Sequence, residues 1–156
     1  MGHGDFDFLI GSWDVSSRRL KDLFVGCEEW DEFPATSRSW GLFEGAASVD
    51  EITFPTRGFS GLTLRIYDPE RKHWSLYWVT SGNGILLPPV VGQFVDGRGD
   101  LYGDDVHDGR AIRVHYIWSR ITPTSARWEQ EFSVDGEQTW ETNWTMEFSR
   151  RDSVPA

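Results

Sequence analysis

The chain has 156 residues, 38% of them hydrophobic and 15% aromatic, with nine Trp and ten Phe; that is enough for one domain with one packed core, and it argues against global disorder. The formal net charge of −10 excludes nucleic acid, whose phosphates would be repelled, and an anionic membrane surface. The single cysteine, Cys27, leaves no intrachain disulfide, and its acidic neighbours Glu28 and Glu29 disfavour a reactive thiolate.

The opening stretch Asp5-Phe6-Asp7-Phe8-Leu9-Ile10-Gly11-Ser12-Trp13 carries one short helical turn, which Asp5 or Asp7 is placed to cap. From Ser12 onward the pattern is that of strands broken by turn residues about every ten positions. The expected strands are Ser12–Leu20, Cys27–Phe33, Ser37–Phe43, Ser48–Phe54, Phe59–Tyr67, Trp74–Thr80, Val90–Val95, Leu101–His107, Ala111–Ile121, Ser125–Val134 and Trp140–Ser149. Between them lie Asp68-Pro69, Gly82-Asn83-Gly84, Asp96-Gly97, Asp108-Gly109 and Asp135-Gly136, where Gly supplies a positive φ and Pro presets φ. Pro88-Pro89 bars a regular central strand at that point. Residues 1–151 form the single domain, and 152–156 read as a frayed tail. No apolar run approaches the roughly 20 residues of a membrane span. No basic region followed by an apolar stretch opens the chain, so the expected location is cytoplasmic.

Side-chain parity assigns faces. In the last strand Trp140, Thr142, Trp144, Met146 and Phe148 share one face, expected inward, and Glu141, Asn143, Thr145, Glu147 and Ser149 share the other. In the strand before it Trp128, Gln130 and Phe132 point in, with Glu129 and Glu131 outside. Ile112, Val114, Tyr116 and Trp118 oppose Arg113 and His115, and Trp74, Leu76, Trp78 and Thr80 share a face. Leu62, Leu64 and Ile66 oppose Thr63, Arg65 and Tyr67, and the leucine face is taken as inward. Ten or so short antiparallel strands must hide their edges, which a closed barrel does best.

Gly11-Ser12-Trp13 at the start of the first strand and Arg150-Arg151 at the end of the last resemble the calycin superfamily, the small up-and-down barrels that include lipocalins. The whole span from Asp5 to Arg150 is similar to a group of uncharacterised bacterial lipocalin-like proteins. It shares their opening Asp-Phe-x-Phe-Leu-x-Gly-x-Trp (Asp5–Trp13), their Tyr-Asp-Pro with Trp-Ser-x-x-Trp (Tyr67–Trp78), and their Ser-x-Asp-Gly-x-x-Thr-Trp (Ser133–Trp140). The resemblance implies an all-β fold, an antiparallel up-and-down calycin-like β-barrel of about 8–10 strands with a short N-terminal helical plug. It implies Phe6, Phe8, Leu9 and Ile10 as that plug, Trp13 as the first interior residue, and Arg150 packed across the Trp13 ring.

Other motifs reduce to bland readings. Ser133–Trp140 nearly matches a propeller turn motif, but one copy is a hairpin turn. Arg98-Gly99-Asp100 is a chance tripeptide. Asp104, Asp105, His107 and Asp108 form a solvated turn, and His107 with His115 lacks the further ligands a zinc site needs, so no metal is expected. What remains is the barrel interior. Trp78, Tyr116, Trp118, Trp128 and Trp144 are more ring area than a small filled barrel needs, and Gln130 and Thr142 place polar groups among them; Arg65 joins if its face is inward. An apolar pocket with a few convergent polar groups is a ligand site. The expected function is therefore binding of a small, largely apolar or aromatic molecule by Trp78, Tyr116, Trp118, Trp128, Gln130, Thr142 and Trp144. The alternative is a cofactor-free isomerase, cyclase or dehydratase in the same cavity, with Tyr116, His115, Glu129 or Arg65 as acid or base. A haem held through His115 is the further alternative; otherwise no cofactor is expected. A homodimer through an outer face such as Tyr77 and Val79 is compatible with each.

Overall fold

The computed structural model describes residues 2–151; the tail assigned to 152–156 lies outside the described residues. Ten strands run antiparallel: β1 (Gly11–Leu20), β2 (Trp30–Leu42), β3 (Ala47–Phe54), β4 (Phe59–Asp68), β5 (His73–Thr80), β6 (Val90–Val95), β7 (Arg98–His107), β8 (Arg110–Ser119), β9 (Ser125–Ser133) and β10 (Glu141–Arg150). Each pairs with its neighbours in sequence, and β1 closes on β10 from Trp13↔Arg150 to Arg19↔Trp144. This is the closed up-and-down barrel that the turn spacing and parity predict. Among the described residues no helix is long and apolar enough to cross a membrane.

Two expected strands are one. Cys27–Phe33 and Ser37–Phe43 merge into β2, which passes through Pro34. Proline is excluded from central ladders because it has no N–H to give. Here the β2–β3 ladder starts only at Thr36↔Thr53, whereas β1 pairs along the strand from Trp30 to Ser39. Pro34 thus sits where the strand has an edge on one side.

The N-terminal residues close the end at which β1 begins. Asp7–Leu9 form a single 3-10 turn with no side-chain cap. Asp5, a candidate cap, instead accepts a hydrogen bond from Trp74 Nε1 at 3.1 Å. Phe6 and Leu9 are buried, and Phe6 meets Trp74 and Phe94 edge-on at 4.9 Å each. Phe8 packs against Trp118 at 5.5 Å. Ile10 does not join the plug: it is 40% exposed and lies outside, over Gly41.

Trp13 is fully buried, donates from Nε1 to Leu9 O at 2.8 Å, and carries the Arg150 guanidinium 4.2 Å from its ring centroid. Arg150 also donates to the carbonyls of Phe8, Ile10 and Pro123. Gly11 has a φ of +117°, and a Cβ there would stand 2.6 Å from Arg150 Nη1. The glycine of the Gly-x-Trp motif is thus needed twice, for backbone conformation and for room.

The face assigned to β4 is reversed. Leu62 and Ile66 are 40% and 38% exposed, while Arg65 and Tyr67 are buried. The outward leucines belong to a cross-strand row on the barrel's outside, Trp40↔Val49↔Leu64↔Tyr77, flanked by Leu62↔Val79. Directly opposed apolar side chains stabilise a sheet even on its wet face.

The turn from β9 to β10 is a hydrogen-bonded hairpin loop. Asp135 accepts from Ser133 Oγ, Thr139 N and Thr139 Oγ1, and Ser133 Oγ accepts from Glu137 N. The bonds from the Thr139 hydroxyl and backbone, then Ser133, lower the Asp135 pKa to about 2. A depressed carboxylate pKa stabilises the fold above its unfolded value and loses that contribution as pH falls through the folded one. The loop should therefore hold down to about pH 4 and loosen as pH falls from there toward about 2. A carboxyl 13C titration should place the Asp135 midpoint near about 2, and Thr139→Val should raise it.

Candidate functional site

The β1–β2, β3–β4, β5–β6, β7–β8 and β9–β10 connections gather at the end opposite the plug. The interior opens toward that end as a cavity of about 220 Å³. Trp78, Tyr116, Trp118, Trp128, Gln130 and Trp144 all line it, six of the seven residues that parity placed there. The rings interlock: Tyr116 meets Trp128 edge-on at 5.1 Å, and Trp128 meets Trp144 at 5.6 Å. Trp144 donates from Nε1 to Ser17 Oγ at 2.7 Å, with the Arg19 guanidinium 4.4 Å from its ring. Trp78 has space because Gly61 stands beside it; a Cβ on Gly61 would lie 1.9 Å from the indole.

Thr142 is the exception. It pairs with the outward Glu131, while Trp144 pairs with the inward Gln130, so Asn143 is an extra residue between them. This β-bulge shifts parity by one. Trp140 and Thr142 therefore turn outward, and Asn143 turns inward, where its Oδ1 accepts from Gln130 Nε2 at 2.8 Å.

The wall between β5 and β7 is part loop. β6 pairs with β5 only from Trp74 to Leu76, so the upper part of β5 has no partner strand there. The segment before Pro88 fills the seam, with Leu87 N donating to Trp78 O at 2.9 Å, and Leu87 and Pro88 line the cavity.

The structure adds two residues that sequence reading did not join, Asp50 and the now inward Arg65. Their side chains are 10% and 3% exposed and form an ion pair, and Arg65 Nη1 donates to Ser48 Oγ at 3.3 Å. Both line the cavity at the plug end, where Arg65 Cζ lies 5.1 Å from the Phe6 ring centroid. Tyr116 is also in the wall; burial first, then the Asp105 charge, raise its pKa well above the ordinary phenol value. It is thus a hydrogen-bond donor at neutral pH. At the mouth, burial and then the Arg57 charge lower the pKa of Arg19.

His115 and Glu129, the other acid–base candidates, are not in the cavity. His115 lies on the outer face, stacked on Tyr102 at 4.2 Å and against Trp140 at 5.5 Å. Its Nδ1 and Nε2 hydrogen-bond to Glu131 at 2.7 Å and Asp100 at 2.8 Å. Burial alone would raise the Asp100 pKa, but the bonds from Arg98 and His115 outweigh it and lower it. The Arg98-Gly99-Asp100 tripeptide is therefore tied into β7 by an Arg98–Asp100 ion pair. Glu129 pairs with Ile117 across β8 and salt-bridges Arg127 at 3.5 Å, also outside. Among the described residues no group of three or more His, Cys, Asp or Glu is placed to hold a metal ion.

No protein-family model and no curated protein sequence matches the chain. Among solved structures the barrel is similar to an S-type phycobiliprotein lyase from Guillardia theta, with a TM-score of 0.58 at 11% identity, over 96% of this chain and 92% of that one. At that identity the likeness is one of fold.

Proposed function

We propose that the protein binds a small, largely apolar or aromatic molecule inside the barrel. The observation that carries this is the cavity of about 220 Å³, stoppered at one end by Phe6 and Leu9 and walled by Trp78, Trp118, Trp128 and Trp144. Such a surface gains by removing apolar ligand area from water. Tyr116 and Gln130 orient the guest. Gly11-Ser12-Trp13 with Arg150 across the indole supports reading the barrel as a calycin, and the acidic surface with one cysteine supports the cytoplasm. Titration of a hydrophobic compound library against intrinsic Trp fluorescence should give saturable binders. Trp78 is only half-buried, so Trp78→Ala should keep the circular dichroism of the fold while weakening those binders about tenfold, the loss of one ring contact. A library without a single saturating compound would refute the proposal.

The second reading is a cofactor-free enzyme on the same molecule, and it is favoured by the lyase name of the structural neighbour and by the Asp50–Arg65 pair inside the cavity. Tyr116 would then give, not take, a proton. Recovery of a bound compound unchanged after long incubation speaks for binding alone; a product that Tyr116→Phe no longer forms speaks for catalysis.

A further inference from the structure

The open end of the barrel holds a guanidinium that no carboxylate among the described residues meets. Arg19 follows Trp13, Val15 and Ser17 at inward parity on β1, and it lines both the cavity and a recess of about 390 Å³ at its mouth. Its Cζ stands 4.4 Å from the centroid of the Trp144 ring, which walls the cavity. A guanidinium over an indole keeps its edge N–H groups for an acceptor. Asp31 stands opposite Arg19 in the β1–β2 ladder, but Arg57 at 3.6 Å and Lys21 at 3.8 Å engage it instead, and Lys21 also holds Glu29. Arg19 is exposed, so both solvent and a guest in the mouth have access to it. Burial first, and then the like charge of Arg57, lower its pKa.

Charge and shape decide what meets it. A guest lying against Trp128 and Trp144 brings one end beside Arg19. An ammonium there would be repelled by Arg19 and Arg57 together. A phosphate monoester carries a charge of about −1.5 to −2 at neutral pH, and it would also face Asp31 and Asp105, which line the same recess. A carboxylate brings one charge to one unmatched cation, and its two oxygens fit the guanidinium fork.

On the strength of the binding reading above, we propose that the guest is an aromatic carboxylic acid, bound as its carboxylate. Its ring lies in the cavity against Trp128 and Trp144, and its carboxylate sits at the mouth on Arg19, with Arg57 beside it.

Three probes of similar shape test this by calorimetry and Trp fluorescence at low salt: 2-naphthylacetate, 2-naphthylacetamide and 2-(2-naphthyl)ethylammonium. The acetate should bind about tenfold tighter than the neutral amide, the worth of one hydrogen bond between charged groups, and the ammonium should bind most weakly. Because the mouth is open to water, about 0.5 M NaCl should remove most of the acetate's advantage over the amide. Arg19→Met keeps an unbranched stem over Trp144 and removes the charge, and it should bring the acetate down to the level of the amide. If that variant does not fold, the salt series on the unaltered protein decides. Equal binding of acetate and amide at low salt, the ammonium tightest of the three, or an advantage that survives either Arg19→Met or high salt overturns the carboxylate assignment and leaves the binding reading standing. Failure of all three probes to bind the folded protein overturns both.

Discussion

Asp50→Ala should lower stability by about 3–5 kcal/mol, because it leaves the Arg65 guanidinium buried without its counter-charge. For a domain of this size that is a fall in Tm of roughly 6–20 °C. Arg65→Met should cost a similar amount from the other side. The double variant Asp50→Leu with Arg65→Met should be more stable than either single one, since replacing a whole buried pair with apolar groups is often neutral or better. Denaturant unfolding of the unaltered protein, Asp50→Leu, Arg65→Met and the double variant measures the coupling. A loss below about 1 kcal/mol in Asp50→Ala would mean that the pair behaves as an exposed one, and the polar plug end of the cavity would lose its meaning. Stability and function meet at this pair: an interior that two hydrophobic residues would fill at least as stably holds a balanced charge pair instead, at the wall of a cavity.

That pair also shows where sequence reading stops. Alternation in β4 divides Leu62, Leu64 and Ile66 from Thr63, Arg65 and Tyr67, yet it does not say which set is inside. The leucine face, taken as inward, is the one that lies outside. The deciding contact is between strands: Arg65 stands opposite Ser48, and Thr63 opposite Asp50. A signal was present in β3, where Ser48 and Asp50 share parity with Ile52 and Phe54, an acid on a core face. Taken alone it reads as a strand end; taken with Arg65 it is a buried pair. In β8 and β9 the alternation was unbroken, so Tyr116, Trp118, Trp128 and Gln130 were legible from sequence. In β10 the same logic held for Trp144, Met146 and Phe148 and failed for Trp140 and Thr142. The bulge at Asn143 moves the phase by one residue, and only the mismatch of an amide within a β-rich run hints at it. The plug was legible through its phenylalanines, although Ile10 went outside because the chain turns into β1 at Gly11.

Trp13→Ala should cost as much as the ion-pair variants, and by a different route. The indole is fully buried against Phe148 at 6.1 Å, and its removal leaves a cavity under the plug, worth about 3–5 kcal/mol for a large aromatic residue. It also leaves Leu9 O without its donor and takes away the face on which Arg150 rests. Arg150→Lys separates these contributions. Lysine keeps the charge near the indole, yet one ammonium cannot reproduce a fork that reaches Phe8, Ile10 and Pro123 together. The expected loss is about 1–3 kcal/mol, and it should be local. Amide exchange at Leu9 and Ile10, whose N–H groups bond to Phe6 and Asp7, should quicken while the β8–β9 ladder keeps its protection. If exchange instead rises evenly through the barrel, the plug and the barrel unfold as one unit, and Arg150 is a clasp for the whole sheet closure at Trp13↔Arg150. Local release is the expectation, because the carbonyls that the guanidinium holds belong to the plug (Phe8), to Ile10 between the plug and β1, and to the β8–β9 turn (Pro123), and none to the interior of a ladder.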